Sequence, residues 1–86
     1  MDEEMVFSLS YEQLTRIAEK NIRECGLGQD SLGTRYISEL KASALLWLWY
    51  ELAIHGVPQN NYARAWERID ADHQRLRKLI WPENDR

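Results

Sequence analysis

Apolar positions along the chain fall into three blocks at helical spacing. In the first, Tyr11, Leu14, Ile17, Ala18, Ile22 and Cys25 share one face, with Glu12, Arg16, Glu19 and Arg23 opposite. Ser10 followed by Gln13 forms the signature of a capping box, and Leu9 with Leu14 makes a hydrophobic staple pair. Gly26 supplies a left-handed stop, with Leu27 folding back, so a helix is predicted over 11–25. In the third block Tyr62, Trp66, Ile69, His73, Leu76 and Ile80 alternate spacings of four and three, the seam of a bundle helix. Asn60 or Asn61 caps it and Pro82 ends it, which predicts a helix over 61–81.

The middle block, predicted as a helix over 34–55, is apolar almost all round. Turning about 100° per residue from Tyr36, its first half places Tyr36, Ile37, Leu40, Ala44 and Trp47 within one arc of about 100°. Leu45, Leu46, Trp49, Leu52 and Ala53 cluster on the far side. One packing neighbour cannot cover both arcs, because Trp47 and Trp49 point in opposite directions. The expectation from this pattern is that Trp47 turns into the bundle while the arc of Leu45, Trp49 and Leu52 meets another helix, the N-terminal segment or another chain. With Glu51 interrupting it, the apolar run is too short to span a bilayer, which needs about 20 residues. Gly56 is expected to cap this helix, and Pro58 stands just beyond.

Three helices joined by short links predict an all-α, up-down-up bundle. It reads as a single domain over 1–86, with an acidic arm (1–9) and a polar tail (82–86). Dimerisation through helix 2 or helix 3 is the simplest way to cover the spare apolar arc. Hydrophobic content of 44% and charged content of 29% suit a globular chain. A net charge of −3 weighs against a general nucleic-acid binder. Cys25 is a lone cysteine and excludes an internal disulfide framework. The acidic start has no apolar signal-peptide core, so a cytoplasmic protein is expected, with no membrane segment.

Candidate chemistry is sparse. The glycines at 26, 28 and 33 resemble a phosphate loop only in composition, since the Lys and Ser/Thr of a Walker motif are missing. Glu51 with His55, and Asp70 with His73, are acid–histidine pairs of the kind that hold metals in bundles. In an antiparallel hairpin the two histidines would lie roughly 18 Å apart, too far for one site. No nucleophile–histidine arrangement stands out, so no enzyme, cofactor or metal is expected. Glu51 shares the arc of Leu40 and Trp47, where an unpaired buried carboxylate costs several kcal/mol. It is expected near the open end of the bundle, reaching water or bonded to Arg64 or Arg68. His73 is expected as a core or interface residue bonded to a neighbour. On helix 3, Arg64, Arg68, Arg75 and Lys78 form a basic stripe opposite the seam, with Glu67 and Asp72 placed to neutralise it.

These features point to a non-enzymatic protein–protein interaction module, an adaptor or inhibitor of a larger macromolecule. Its expected contacts are Leu45, Trp49, Leu52, Glu51 and His73, with Arg64, Arg68, Arg75 and Lys78 on the charged face. The alternatives are a dimeric nucleic-acid-associated regulator using the basic stripe, and a structural subunit of a larger assembly.

Overall fold

The computed structural model describes residues 5, 7–26 and 32–82, which form three helices: α1 (Tyr11–Arg23), α2 (Leu32–His55) and α3 (Tyr62–Ile80). Among the described residues there is no strand. All three helices line one shared core.

Local signals account for most helix ends. At the start of α1 the Gln13 backbone N–H donates to Ser10 Oγ at 3.1 Å, and the Ser10 N–H donates to Gln13 Oε1 at 2.9 Å. The capping box thus satisfies two otherwise orphaned backbone donors. Regular helix stops at Arg23, two residues before the expected Cys25, and Gly26 holds the left-handed backbone with φ of 79°. Leu27, expected to fold back there, lies outside the described residues. Gly56 behaves differently. Its φ is not positive, and its N–H instead donates to the Ala53 carbonyl at 3.1 Å, tightening the last turn of α2. At the start of α3, Asn61 occupies the cap position without a side-chain hydrogen bond.

The core contains Ala18 and Ile22 of α1, Ala42, Leu46, Trp49 and Ala53 of α2, and Ile69, Leu76 and Ile80 of α3. Trp49 is its largest member, with 1% of its surface exposed. Its indole N–H donates to Thr15 Oγ1 at 2.9 Å, joining α2 to α1 inside the core. The ring also lies near Tyr11 of α1, at 6.4 Å between centroids, and stacks on His73 of α3 at 6.3 Å and 13°. One side chain therefore touches all three helices.

This reverses the expected orientation of α2. Trp49, read from the sequence as outward-facing, is the centre of the core, and Leu45 is half-buried against it. Trp47, read as internal, is 58% exposed. The face of α1 is also rotated: Thr15 is buried beside Ala18 and Ile22, while Ile17 is left exposed. Both differences share a cause. With Trp49 fully buried, Thr15 supplies the acceptor that its N–H would otherwise lack.

The Cα extents are 45 × 43 × 15 Å. At 8–10 Å between packed helix axes, the short dimension holds two layers of helix and no third. One side of α2 is covered by α1 and α3. The other is bare.

Two substitutions measure the central contact. Trp49→Ala should lower the unfolding free energy by about 3–5 kcal/mol. Thr15→Val, which keeps the shape but strands the buried indole N–H, should cost about 1–3 kcal/mol. Urea denaturation reads both; a Thr15→Val protein as stable as the parent would show the hydrogen bond to be dispensable.

Candidate interaction surface

Two stripes of equal spacing run along α2. Ser38, Ala42, Leu46, Trp49 and Ala53 form the buried one. Shifted by two residues, and so turned by about 200°, Tyr36, Leu40, Ala44, Trp47 and Glu51 form the other. The second stripe is open to solvent. With its flanks it presents Tyr36 (64% exposed), Ile37 (54%), Leu40 (54%), Trp47 (58%), Leu48 (56%) and Leu52 (46%). Small side chains on the inner stripe let α1 and α3 approach closely, which is why the bulkier set is left outside. Single exposed apolar residues are ordinary, but a continuous run along about 25 Å of one helix is the pattern of a contact surface.

Trp47 sits at the rim of this surface rather than free in solvent. Its ring meets Tyr50 edge-on at 6.0 Å and lies 6.1 Å from His73. Below the rim, Tyr50 also approaches His73 (5.2 Å) and Trp66 (6.4 Å), so aromatic rings fill the seam between α2 and α3. Two buried polar atoms in this seam, Trp66 Nε1 and His73 Nε2, have no hydrogen-bond partner among the described residues. His73 was expected to be bonded to a neighbour; at Nε2 it stacks among rings instead. Burial is the main reason its pKa falls below the usual 6.5, and Arg77 adds to the fall while Asp70 opposes it.

Glu51 is exposed on the outer stripe and lies 3.6 Å from His55 of its own helix. Neither Arg64 nor Arg68 is its partner. Leu52 stays on the outside, as expected.

The basic stripe of α3 meets acids from another helix. Arg68 pairs with Glu12 of α1 at 3.1 Å, and its guanidinium lies 4.7 Å from the Tyr11 ring centroid. Arg75 pairs with Glu19 of α1 at 2.6 Å and with Asp72 at 3.3 Å. Glu19 also takes Arg23 at 2.7 Å. Hydrogen bonds from Arg75 and then Arg23 hold the Glu19 carboxyl below its ordinary range, and the same contact with Glu19 raises Arg75. Tyr11 donates its hydroxyl proton to Asp72 at 2.6 Å; burial, then that bond, push its pKa well up. Arg64 borders a cavity of about 260 Å³ with Tyr11, Ala53, Val57 and Ile69, and Lys78 lies exposed in the last turn of α3.

Thus the structure gathers Glu51 and Leu52 onto one open face, sends Trp49 and most of Leu45 inward, and ties Arg68 and Arg75 to α1. Sequence reasoning missed Tyr36, Ile37, Leu40, Ala44, Trp47 and Leu48 as surface. The available signal was Glu51, which belongs to their stripe and cannot be buried unpaired at low cost. Among the described residues no group of three or more His, Cys, Asp or Glu side chains is placed to hold a metal, and no helix is long and apolar enough to cross a membrane. Compared with protein families, curated proteins and solved structures, the chain matches none.

Since folding favours the neutral His73 ring, its contribution to stability is complete above pH 6.5 and is lost as the pH falls below that value. The urea midpoint should therefore drop between about pH 7.5 and 5.5, before most carboxylates titrate, and His73→Phe should remove that drop. An unchanged slope in the variant would assign the effect to another group.

Proposed function

We propose that the protein is a non-enzymatic protein–protein interaction module, an adaptor or inhibitor of a larger macromolecule, and that it binds through the outer face of α2. The observation that carries this reading is the row of six large apolar side chains, each 46–64% exposed, along one face of one helix. Side chains of this size carry roughly 150–250 Å² each when aromatic, so the row leaves on the order of 500 Å² of apolar surface in water. Covering it at about 25 cal/mol per Å² contributes on the order of 12 kcal/mol before association costs. Those costs run to roughly 4–15 kcal/mol, so the face is large enough to hold a partner and not so large as to preclude release.

In this reading the rest of the chain is a scaffold that keeps α2 rigid. We read the helices as an up-down-up bundle, supported by Glu12–Arg68 and Glu19–Arg75, which each bridge 56 positions, the common offset expected when α1 and α3 run the same way. The charged face of α3, weighed from the sequence as a second contact or a nucleic-acid surface, contributes Arg68 and Arg75 to that scaffold. It supplies no argument for phosphate recognition.

A tagged chain and its Trp47→Ser/Leu48→Ser variant, used to capture proteins from a lysate of the cells that make it, test the proposal. Both positions are more than half exposed, so the variant should stay folded, losing about 1–3 kcal/mol at most where Trp47 meets Tyr50 and His73. Specific capture should fall by about tenfold or more. Equal capture by the two proteins would move the binding surface elsewhere.

A further inference from the structure

The outer face of α2 has an internal pattern that identifies a partner. Ile37, Lys41, Ala44, Leu48, Glu51 and His55 recur at spacings of four and three, the repeat of a two-helix seam. Ile37 and Leu48 are exposed, as are Lys41 and Ala44 between them. The Glu51 and His55 side chains are 66% and 73% exposed. No part of this seam is used by α1 or α3.

We infer that the occupant of this face is a second copy of the chain, with the two α2 helices packed antiparallel about a two-fold axis level with residue 46. This rests on the reading of the outer face as the binding surface and adds the occupant of that face in the protein on its own, with its register; a larger partner takes the same face by displacing the second copy. In an antiparallel pair each layer joins two residues whose numbers have a constant sum. Centred at 46, the layers are Ala44 against Leu48 of the second copy, Lys41 against Glu51, and Ile37 against His55. The symmetry repeats each layer once.

Size and charge both match in this register. Ala44, the smallest seam residue, lies opposite Leu48, so a large knob meets a small position. Lys41, in no ion pair among the described residues, meets Glu51, whose near neighbour in its own chain is His55 at 3.6 Å. Trp47 flanks the two-fold axis, where it approaches its own copy. A parallel pair would instead set Lys41 on Lys41 and Glu51 on Glu51, stacking like charges in partly dry layers. Shifting the antiparallel register by seven residues would set Lys41 against Ala44 in one direction and Glu51 against Leu48 in the other, so that neither charge meets its opposite. The two Lys41–Glu51 layers thus act as polar layers that choose direction and register.

The size of the surface suffices. Residues 37–55 span about 27 Å of helix. With the charged and small seam residues added to the apolar row, each copy covers on the order of 800 Å², which is what a stable interface of standard size needs.

Sedimentation of the purified protein alone, with Lys41→Glu, Glu51→Lys and the combined swap, tests this. The parent should sediment as a dimer at roughly 100 μM and dissociate on further dilution. Each single substitution opposes like charges in two layers and should raise the dissociation constant at least about tenfold. The combined swap re-forms both pairs and should return it to within about threefold of the parent. Both positions of change are exposed, and circular dichroism of each variant confirms that the monomer folds. A parent that stays monomeric at that concentration overturns self-pairing, as do single and double variants that are equally weakened or equally unaffected. The capture experiment is separate: a monomeric parent whose capture still depends on Trp47 and Leu48 would retain the surface and reject only the second copy as its occupant.

Discussion

The hydrogen bond from the Trp49 indole to Thr15 fixes how the whole chain is assembled. An indole is the largest apolar body a core can take, and leaving its N–H without an acceptor when water is removed costs about 1–3 kcal/mol. Only one rotation of α2 brings that N–H to the hydroxyl of α1 while the ring faces of Tyr11 and His73 close over it. Once that rotation is set, Ala42, Leu46 and Ala53 follow into the core, since they lie on the same stripe. The opposite stripe is then committed to solvent, with Trp47 on it. Core and candidate surface are therefore two consequences of one contact.

Electrostatics reinforce the arrangement from the other side. The acids Glu12 and Glu19 on α1 face Arg68 and Arg75 on α3, and Tyr11 bridges to Asp72. Exposed pairs of this kind are individually worth under about 1 kcal/mol. Their value here is directional: they clamp α1 and α3 together on the side of the bundle away from the bare face of α2. Two of the basic residues that looked available for an external acid, Arg68 and Arg75, already have internal ones.

A consequence for the proposed role is that the interaction face is stiff. It lies on a long helix anchored along its inner stripe, so a partner meets side chains whose backbone is already ordered, and binding orders little beyond the rotamers of Tyr36, Leu40, Trp47 and Leu48. Aromatic rings beneath Trp47 add a second effect. His73, half-buried among those rings and disfavoured as a cation, connects the state of the seam to pH.

The sequence by itself determined the three helices, their approximate limits, the capping box at Ser10 and Gln13, the left-handed glycine at position 26, and the core seam of Ile69, Leu76 and Ile80. Those features depend on neighbours within four residues or on a period, both written along the chain. It also established that α2 has more apolar circumference than two helices can cover. Which half of that circumference faces inward was decided by tertiary structure. The two stripes have the same spacing and each carries one tryptophan, so periodicity cannot separate them. Only the placement of a hydroxyl 34 residues away could satisfy one indole and not the other. The pairing of Arg68 and Arg75 with α1 had the same character, because their acidic partners lie 56 positions distant and become neighbours only when the helices are packed.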